Sequence, residues 1–311
     1  MLRAMRLNHF TAPLILAGLL FSCTRCSTQP PISGTIVMKE GWKPVVYLIA
    51  PLGFSEIASS FSGMVLDSAQ IGENGQFAFS KLPITDEKFP ILYQLAMQPE
   101  GSLYANHLLD DNPLLANYMP FVLKTNKFMR FTAEADRFQA SFRIESPLTA
   151  YPDEPDPGFD PYVANTALLK LRDIRHASYL QWQTQLEAAK TPDENTLLEQ
   201  EEAIRQFRLP LMQFADTTGA VWAALVATRW VSPQQDYERV PEFLHGQCQR
   251  WTDNKAAAHF IALLCEKANN LPVLVNANIP DFPFPMSTGD TVSLKSHLGK
   301  KLTILDIWAS W

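Results

Sequence analysis

The sequence predicts an α+β chain of several domains. An antiparallel β-sandwich is expected over residues 32–150, an α-helical region over 151–272, and the opening β-hairpin and strand of an α/β domain over 273–311. Three observations carry this. Eight short runs rich in β-branched and aromatic residues fill Ile32–Ile144. Four prolines crowd Tyr151–Pro161, which can sustain neither a ladder nor a helix and so marks a boundary. Beyond it the apolar period changes from that of a strand to that of a helix.

Residues 1–22 read as a signal peptide. Arg3 and Arg6 form a basic start, and Phe10–Phe21 is an apolar run broken only by Thr11, Pro13 and Gly18. The run is shorter than the roughly 20 residues needed to span a bilayer, and it suits the core of an export signal. Leu20-Phe21-Ser22-Cys23 follows and resembles the lipobox of bacterial lipoproteins, which implies acylation of Cys23. Residues 23–31 then form a polar tether to a lipid anchor, firm because each buried methylene adds ~0.8 kcal/mol. The expected location is the cell envelope, anchored to a membrane and facing the periplasm or exterior.

The chain of 311 residues carries a net charge of −6; losing Arg3 and Arg6 with the signal peptide leaves 24 basic against 32 acidic residues, a net charge of −8. That balance excludes an electrostatic footprint for nucleic acid or for an anionic lipid surface.

The β runs are Ile32–Val37, Val45–Ala50, Gly63–Ile71, Gln76–Phe79, Ile91–Met97, Met119–Leu123, Phe128–Thr132 and Ala140–Ile144. Asn74-Gly75 is the sharpest turn signal, expected as a type I′ turn with φ > 0 at both positions. Asp67–Ile71 with Asn74–Phe79 resembles the hairpin of a β-sandwich domain of unknown function that commonly precedes a thioredoxin-like domain in exported lipoproteins. Asp67 is expected to be a strand-end carboxylate capping a turn.

In the helical region Leu168, Leu171, Ile174, Ser178, Trp182 and Leu186 share one face. Thr191-Pro192-Asp193-Glu194 reads as a capped helix start, Gly219 separates the next apolar helix Ala220–Val231, and Ser232-Pro233-Gln234-Gln235 repeats the capping pattern. A last helix is expected over about Asn254–Asn269. His176, His245 and His259 share no metal-ligand spacing. Glu242 and His245 form one Glu-x-x-His, whereas a di-iron bundle needs two. No metal and no cofactor are expected. A helical hairpin turning at Thr252-Asp253 places Cys248 four residues before the turn and Cys265 thirteen after it, roughly 13 Å apart along the axes at 1.5 Å per residue. Both are therefore expected to be buried, reduced thiols.

The last forty residues bear on chemistry. Asn278-Ile279-Pro280-Asp281-Phe282, Thr288–Leu294, Leu298-Gly299-Lys300-Lys301 and Leu302–Trp311 read as a proline-marked entry, a hairpin around Gly289, a short helix and a buried strand. Together they resemble the opening of thioredoxin-like proteins of the membrane-anchored TlpA type, in the AhpC/TSA-redoxin superfamily, over about Val273–Trp311. The resemblance implies a thiol–disulfide oxidoreductase acting on protein thiol and disulfide clients. Its Cys-x-x-Cys would follow Trp311, at a helix N-terminus whose dipole lowers the thiol pKa. By the same resemblance Asp306 aligns with the buried carboxylate that assists proton transfer, Trp311 lies beside the nucleophile and Trp308 packs beneath it. Without that motif the chain as read has no redox nucleophile and is expected to be inactive. Two alternatives stand beside this reading: a non-enzymatic envelope lipoprotein acting as a binding module, and a peroxiredoxin-like peroxidase.

Overall fold

In the computed structural model the described residues are 30–60, 63–82, 86, 88–125, 127–146, 161–188, 196–232, 237–271, 281, 283–286 and 288–299. They form a mixed α+β structure. Strands β1 (Ile32–Val37), β2 (Trp42–Ala50), β3 (Met64–Gln70), β4 (Gln76–Phe79), β5 (Ile91–Pro99), β6 (Tyr118–Leu123), β7 (Met129–Glu134) and β8 (Arg143–Ser146) make two four-stranded sheets. One has the order β4-β1-β7-β8 and the other β3-β2-β5-β6. The short helix α1 (Phe138–Ser141) precedes β8, and α2 (Pro161–Ala188), α3 (Thr196–Thr217), α4 (Val221–Val231), α5 (Pro241–Trp251) and α6 (Ala258–Asn269) follow. A small antiparallel hairpin, β9 (Pro283–Pro285) and β10 (Thr291–Ser293), comes last.

Five expectations for the sheets need correction. The first sheet is not wholly antiparallel, since β1 runs parallel to β7 while antiparallel to β4. The stretch read as a hairpin is a corner between sheets: β3 pairs with β2, and β4 pairs with β1. Its turn is not type I′, because Gly75 has φ +77° and Asn74 is not among the residues with positive φ. Gly75 N instead donates to Gly72 O at 2.8 Å and Gly72 N to Gln76 O at 2.9 Å, so Gly75 follows the turn as its left-handed residue. A Cβ there would also stand 2.6 Å from Ile36 O, so glycine is required twice over. Asp67 lies inside β3 beside a register shift, its Oδ1 accepting from Ser68 N at 2.8 Å, and caps no turn. The predicted strand Ala140–Ile144 begins as helix α1, and only Arg143–Ser146 is extended.

The apolar face of the first sheet closes over aromatic rings. Phe131 stacks on Phe142 at 4.4 Å and sits 5.1 Å from Phe77. Gly34 lies between the flanking strands because a Cβ would come 2.1 Å from Phe131 O and 3.1 Å from the Phe77 ring.

The β5–β6 half of the second sheet is buried on both faces: every residue of β6 and all the inner residues of β5 are buried, whereas β3 at the other edge is largely exposed. Helices cover one side, and β6, an edge strand, shows how. Pro120 has no N–H to offer, so its place on an edge costs no ladder bond. Asn165 of α2 supplies the missing partner strand at Val122, accepting from its N–H and donating to its carbonyl, both at 2.7 Å. Gln139 Nε2 donates to Tyr118 O at 3.0 Å. Three outward backbone groups of this edge, Val122 N, Val122 O and Tyr118 O, are thereby satisfied by side chains.

Helix α4 is buried along all of its length, and its sequence is apolar apart from Thr228 and Arg229, which hydrogen-bond inside the core. One contiguous hydrophobic core runs from Ile32 to Ala268, shared by sheets and helices. The face of α2 is rotated from that expected. Beyond its first turns, where Ala164 and Asn165 are buried, Leu168, Leu171, Arg175, Ser178 and Tyr179 are its buried residues, and Ile174 is only partly covered. Ser232 is a helix C-cap rather than a start, and the next helix begins at Pro241 after a 3₁₀ turn at Tyr237–Arg239. The capped start at Thr191–Glu194 and the Tyr151–Asp160 boundary lie outside the described residues.

Candidate functional site

Residues Cys23, Asp306, Trp308 and Trp311 lie outside the described residues, as does the strand Leu302–Trp311. Of the residues before that expected strand, 281, 283–286 and 288–299 are described, and Asn278–Pro280, Phe282, Lys300 and Lys301 are not. β9 and β10 pair in the register Thr291↔Pro285 and Ser293↔Pro283, and Gly289 turns between them with φ +88°. Asp281 fastens the entry to the turn that follows: its Oδ1 accepts from Ser293 Oγ at 2.6 Å and from Lys295 N at 3.1 Å. Those bonds, Ser293 foremost, hold the Asp281 carboxyl below its ordinary value. The 3₁₀ turn Leu294–His297 completes the unit, with Leu294 buried.

The cysteine expectation is overturned. Cys248 and Cys265 form a disulfide, with Cα atoms 5.0 Å apart. The turn between their helices is longer than assumed. α5 ends at Trp251 and α6 starts only at Ala258, so Cys265 stands seven residues into its helix and the axial offset shrinks.

Sequence reasoning also missed a buried polar network. Arg175, 2% exposed, makes a bidentate pair with Asp110, Nη1 to Oδ1 at 3.0 Å and Nη2 to Oδ2 at 2.8 Å. Tyr118 donates its hydroxyl to Asp110 and accepts from Trp230 Nε1 at 2.9 Å. The guanidinium lies 4.5 Å above the Trp230 ring. Burial opposes charge on Arg175, but the Asp110 carboxylate beside it outweighs burial and the group is held above its ordinary value. Burial first, then the Asp110 charge, pushes the Tyr118 hydroxyl upward as well.

Through Asp110 and Arg175 the network reaches the floor of a cavity of about 460 Å³, within the range of small-molecule sites. Tyr179 and Trp182 of α2 and Phe207 of α3 form one wall, their ring centroids 5.4–6.5 Å apart. Arg208 and Arg239 also line it, and Arg239 pairs with Glu201 at 2.9 Å. Ala58 lines the cavity too, buried with φ +50°, the one described non-glycine residue with left-handed backbone. Gln94 accepts from Ala58 N at 2.9 Å, and the buried Arg229 Nε donates to Ile57 O at 3.0 Å, so the surroundings impose the conformation. Ala58→Val is expected to lower stability by roughly 2 kcal/mol or more, because a β-branched residue tolerates left-handed backbone poorly, while Ala58→Gly keeps it or raises it slightly. Urea unfolding of both variants checks this.

Behind the floor, burial and then the Arg172 and Arg175 charges push His176 down to about 4 from 6.5. The folded chain therefore binds fewer protons than the unfolded one between those values. Stability falls as pH drops through that window and is insensitive to this group above it. His176→Gln is expected to flatten that part of the stability–pH curve, measured by denaturant midpoints from pH 7.5 to 4.

Among the described residues no three His, Cys, Asp or Glu side chains are grouped to hold a metal ion, and no helix is long and apolar enough to cross a membrane. Comparison with protein-family models, with curated proteins and with solved structures gave no match.

Proposed function

We propose that this chain is the membrane-anchored amino-terminal part of a thioredoxin-like thiol–disulfide oxidoreductase of the cell envelope. In this reading a β-sandwich and helices carry the redox domain, and protein disulfides are its substrates. The observation that carries the reading is the spaced match from Asn278 to Trp311. The Pro283–Ser293 hairpin supports it, because the described part of that match has a hairpin with a glycine turn followed by a short 3₁₀ turn, in the expected order. The Cys248–Cys265 disulfide supports export, since such bonds persist in oxidising compartments. Cys23 and Cys26 share the two-residue spacing of a redox pair, but acylation of Cys23 would remove its thiol.

Expression in a Gram-negative host tests the anchor. The chain is expected in the membrane fraction, and Cys23→Ser is expected to move it to the soluble periplasm. An unchanged distribution contradicts acylation. The catalytic part is tested by the coding sequence beyond Trp311, which should place a cysteine in the next codon and a second one three residues later.

A further inference from the structure

We infer that the Cys248–Cys265 disulfide is a redox switch: a dithiol opens it in the folded chain and thereby releases α6, while the sheets stay in place. The inference rests on the redox reading for its reductant alone, a Cys-x-x-Cys dithiol of the kind expected to follow Trp311. α6 is lightly held. It buries Ile261, Leu264 and Ala268 out of twelve residues, whereas α4 buries all eleven of its own. Around those three it meets the body of the chain through His259 Nε2, 3.0 Å from Leu52 O, and the Phe260 ring, edge-on to Trp222 at 5.2 Å. Leu263 lies over Gly53, its Cδ1 2.8 Å from where a Cβ would stand. α5 is tied down independently, since Gln247 Nε2 donates to Asp216 Oδ1 and Arg250 Nη2 to Thr218 O, both at 2.6 Å. A helix with few buried apolar contacts opens at less cost than the whole chain, so the covalent bond to α5 is what holds α6 closed.

The two cysteines differ in access. Cys265 is partly exposed, whereas Cys248 is buried among the core residues. A thiolate of the reductant therefore attacks Cys265 Sγ: a bond to the reductant's sulfur forms, the Cys248–Cys265 bond breaks, and Cys248 leaves as a thiolate and takes up a proton. With Cα atoms 5.0 Å apart, Cys248 stays in place to attack back, so a monothiol is expelled and the bridge re-forms. A dithiol closes on itself instead. Its second thiolate attacks its own sulfur in the mixed disulfide, Cys265 leaves and is protonated, and the reductant ends as an internal disulfide. Two electrons and two protons have then passed to the cysteines. α6 is the last helix before the β9–β10 hairpin, so its release frees the chain that leads there.

The test uses the purified, bridged 311-residue chain without denaturant, with millimolar dithiothreitol as the dithiol and glutathione at equal thiol concentration as the monothiol. Alkylation, digestion and mass spectrometry follow the two cysteines. Dithiothreitol is expected to free both at least about tenfold faster than the chain unfolds, since one helix opens more readily than the whole. Glutathione is expected to leave the bond closed. On reduction, amide exchange over Ala258–Asn269 should speed up at least about tenfold while β5 and β6 stay protected, and Cys248→Ala/Cys265→Ala should match the reduced parent. A bond that opens only as fast as the chain unfolds overturns the inference, as does glutathione acting as fast as dithiothreitol. So does equal protection of α6 in the bridged and reduced chains. These measurements involve no residue beyond Trp311. Their failure therefore leaves the redox reading standing, and a coding sequence without the Cys-x-x-Cys sinks that reading without changing their outcome.

Discussion

Asp110→Ala is expected to lower the unfolding free energy by about 3–5 kcal/mol, the usual cost of stranding one member of a buried ion pair. Arg175 is 2% exposed, and both of its terminal nitrogens rest on Asp110. Without the carboxylate a full charge stays buried over the Trp230 ring, and Tyr118 loses its acceptor as well. The double variant Asp110→Leu/Arg175→Met removes both charges and keeps apolar volume, and is expected to lie within about 1–2 kcal/mol of the parent. A double-mutant cycle by urea unfolding measures the coupling directly. Additive single effects would mean that the two side chains do not share one buried network.

Breaking the Cys248–Cys265 bond has the next largest effect. The bridge closes a loop between residues 17 apart, for which loop-closure entropy in the unfolded chain corresponds to about 3 kcal/mol. Cys248→Ser/Cys265→Ser, or reduction of the parent, is expected to lose about that amount and to loosen the α5–α6 pair before the sheets. Denaturing alkylation and digestion of the unreduced protein should yield one cross-linked peptide pair. Two separately alkylated thiols would contradict the bond.

The contrast between these two features shows what the sequence could disclose. Strands such as Ile32–Val37 and Gln76–Phe79 were legible to the residue because β-branched and aromatic residues are bounded there by turn formers. Pairing was not legible. Nothing local in Asp67–Phe79 tells a hairpin from a corner, since strand partners are chosen by contacts tens of residues away, here β2 for one strand and β1 for the other. The disulfide turns on a helix boundary: Asn254–Ala257, which the pattern assigns to the last helix, belong to the loop Thr252–Ala257.

The Asp110–Arg175 pair joins positions 65 apart, beyond the reach of any spacing rule. One signal was present all the same. Leu168, Leu171, Arg175, Tyr179 and Trp182 follow helical spacing through a single charged residue, and a lone arginine in an apolar stripe calls for a buried partner. Ile174, one position earlier, continues the apolar period as well, and the face drawn through it leaves Arg175 out.

The central claim is the redox reading, and insulin-reduction kinetics test it most directly. The 311-residue chain is expected to match the rate without enzyme, because its described thiols are bridged and lie away from any activating helix N-terminus. A chain carried on through the Cys-x-x-Cys and the rest of the fold is expected to turn over, and to lose turnover when the first of those cysteines becomes serine. Turnover by the 311-residue chain that survives Cys248→Ser/Cys265→Ser, or none from the extended chain, would contradict the account.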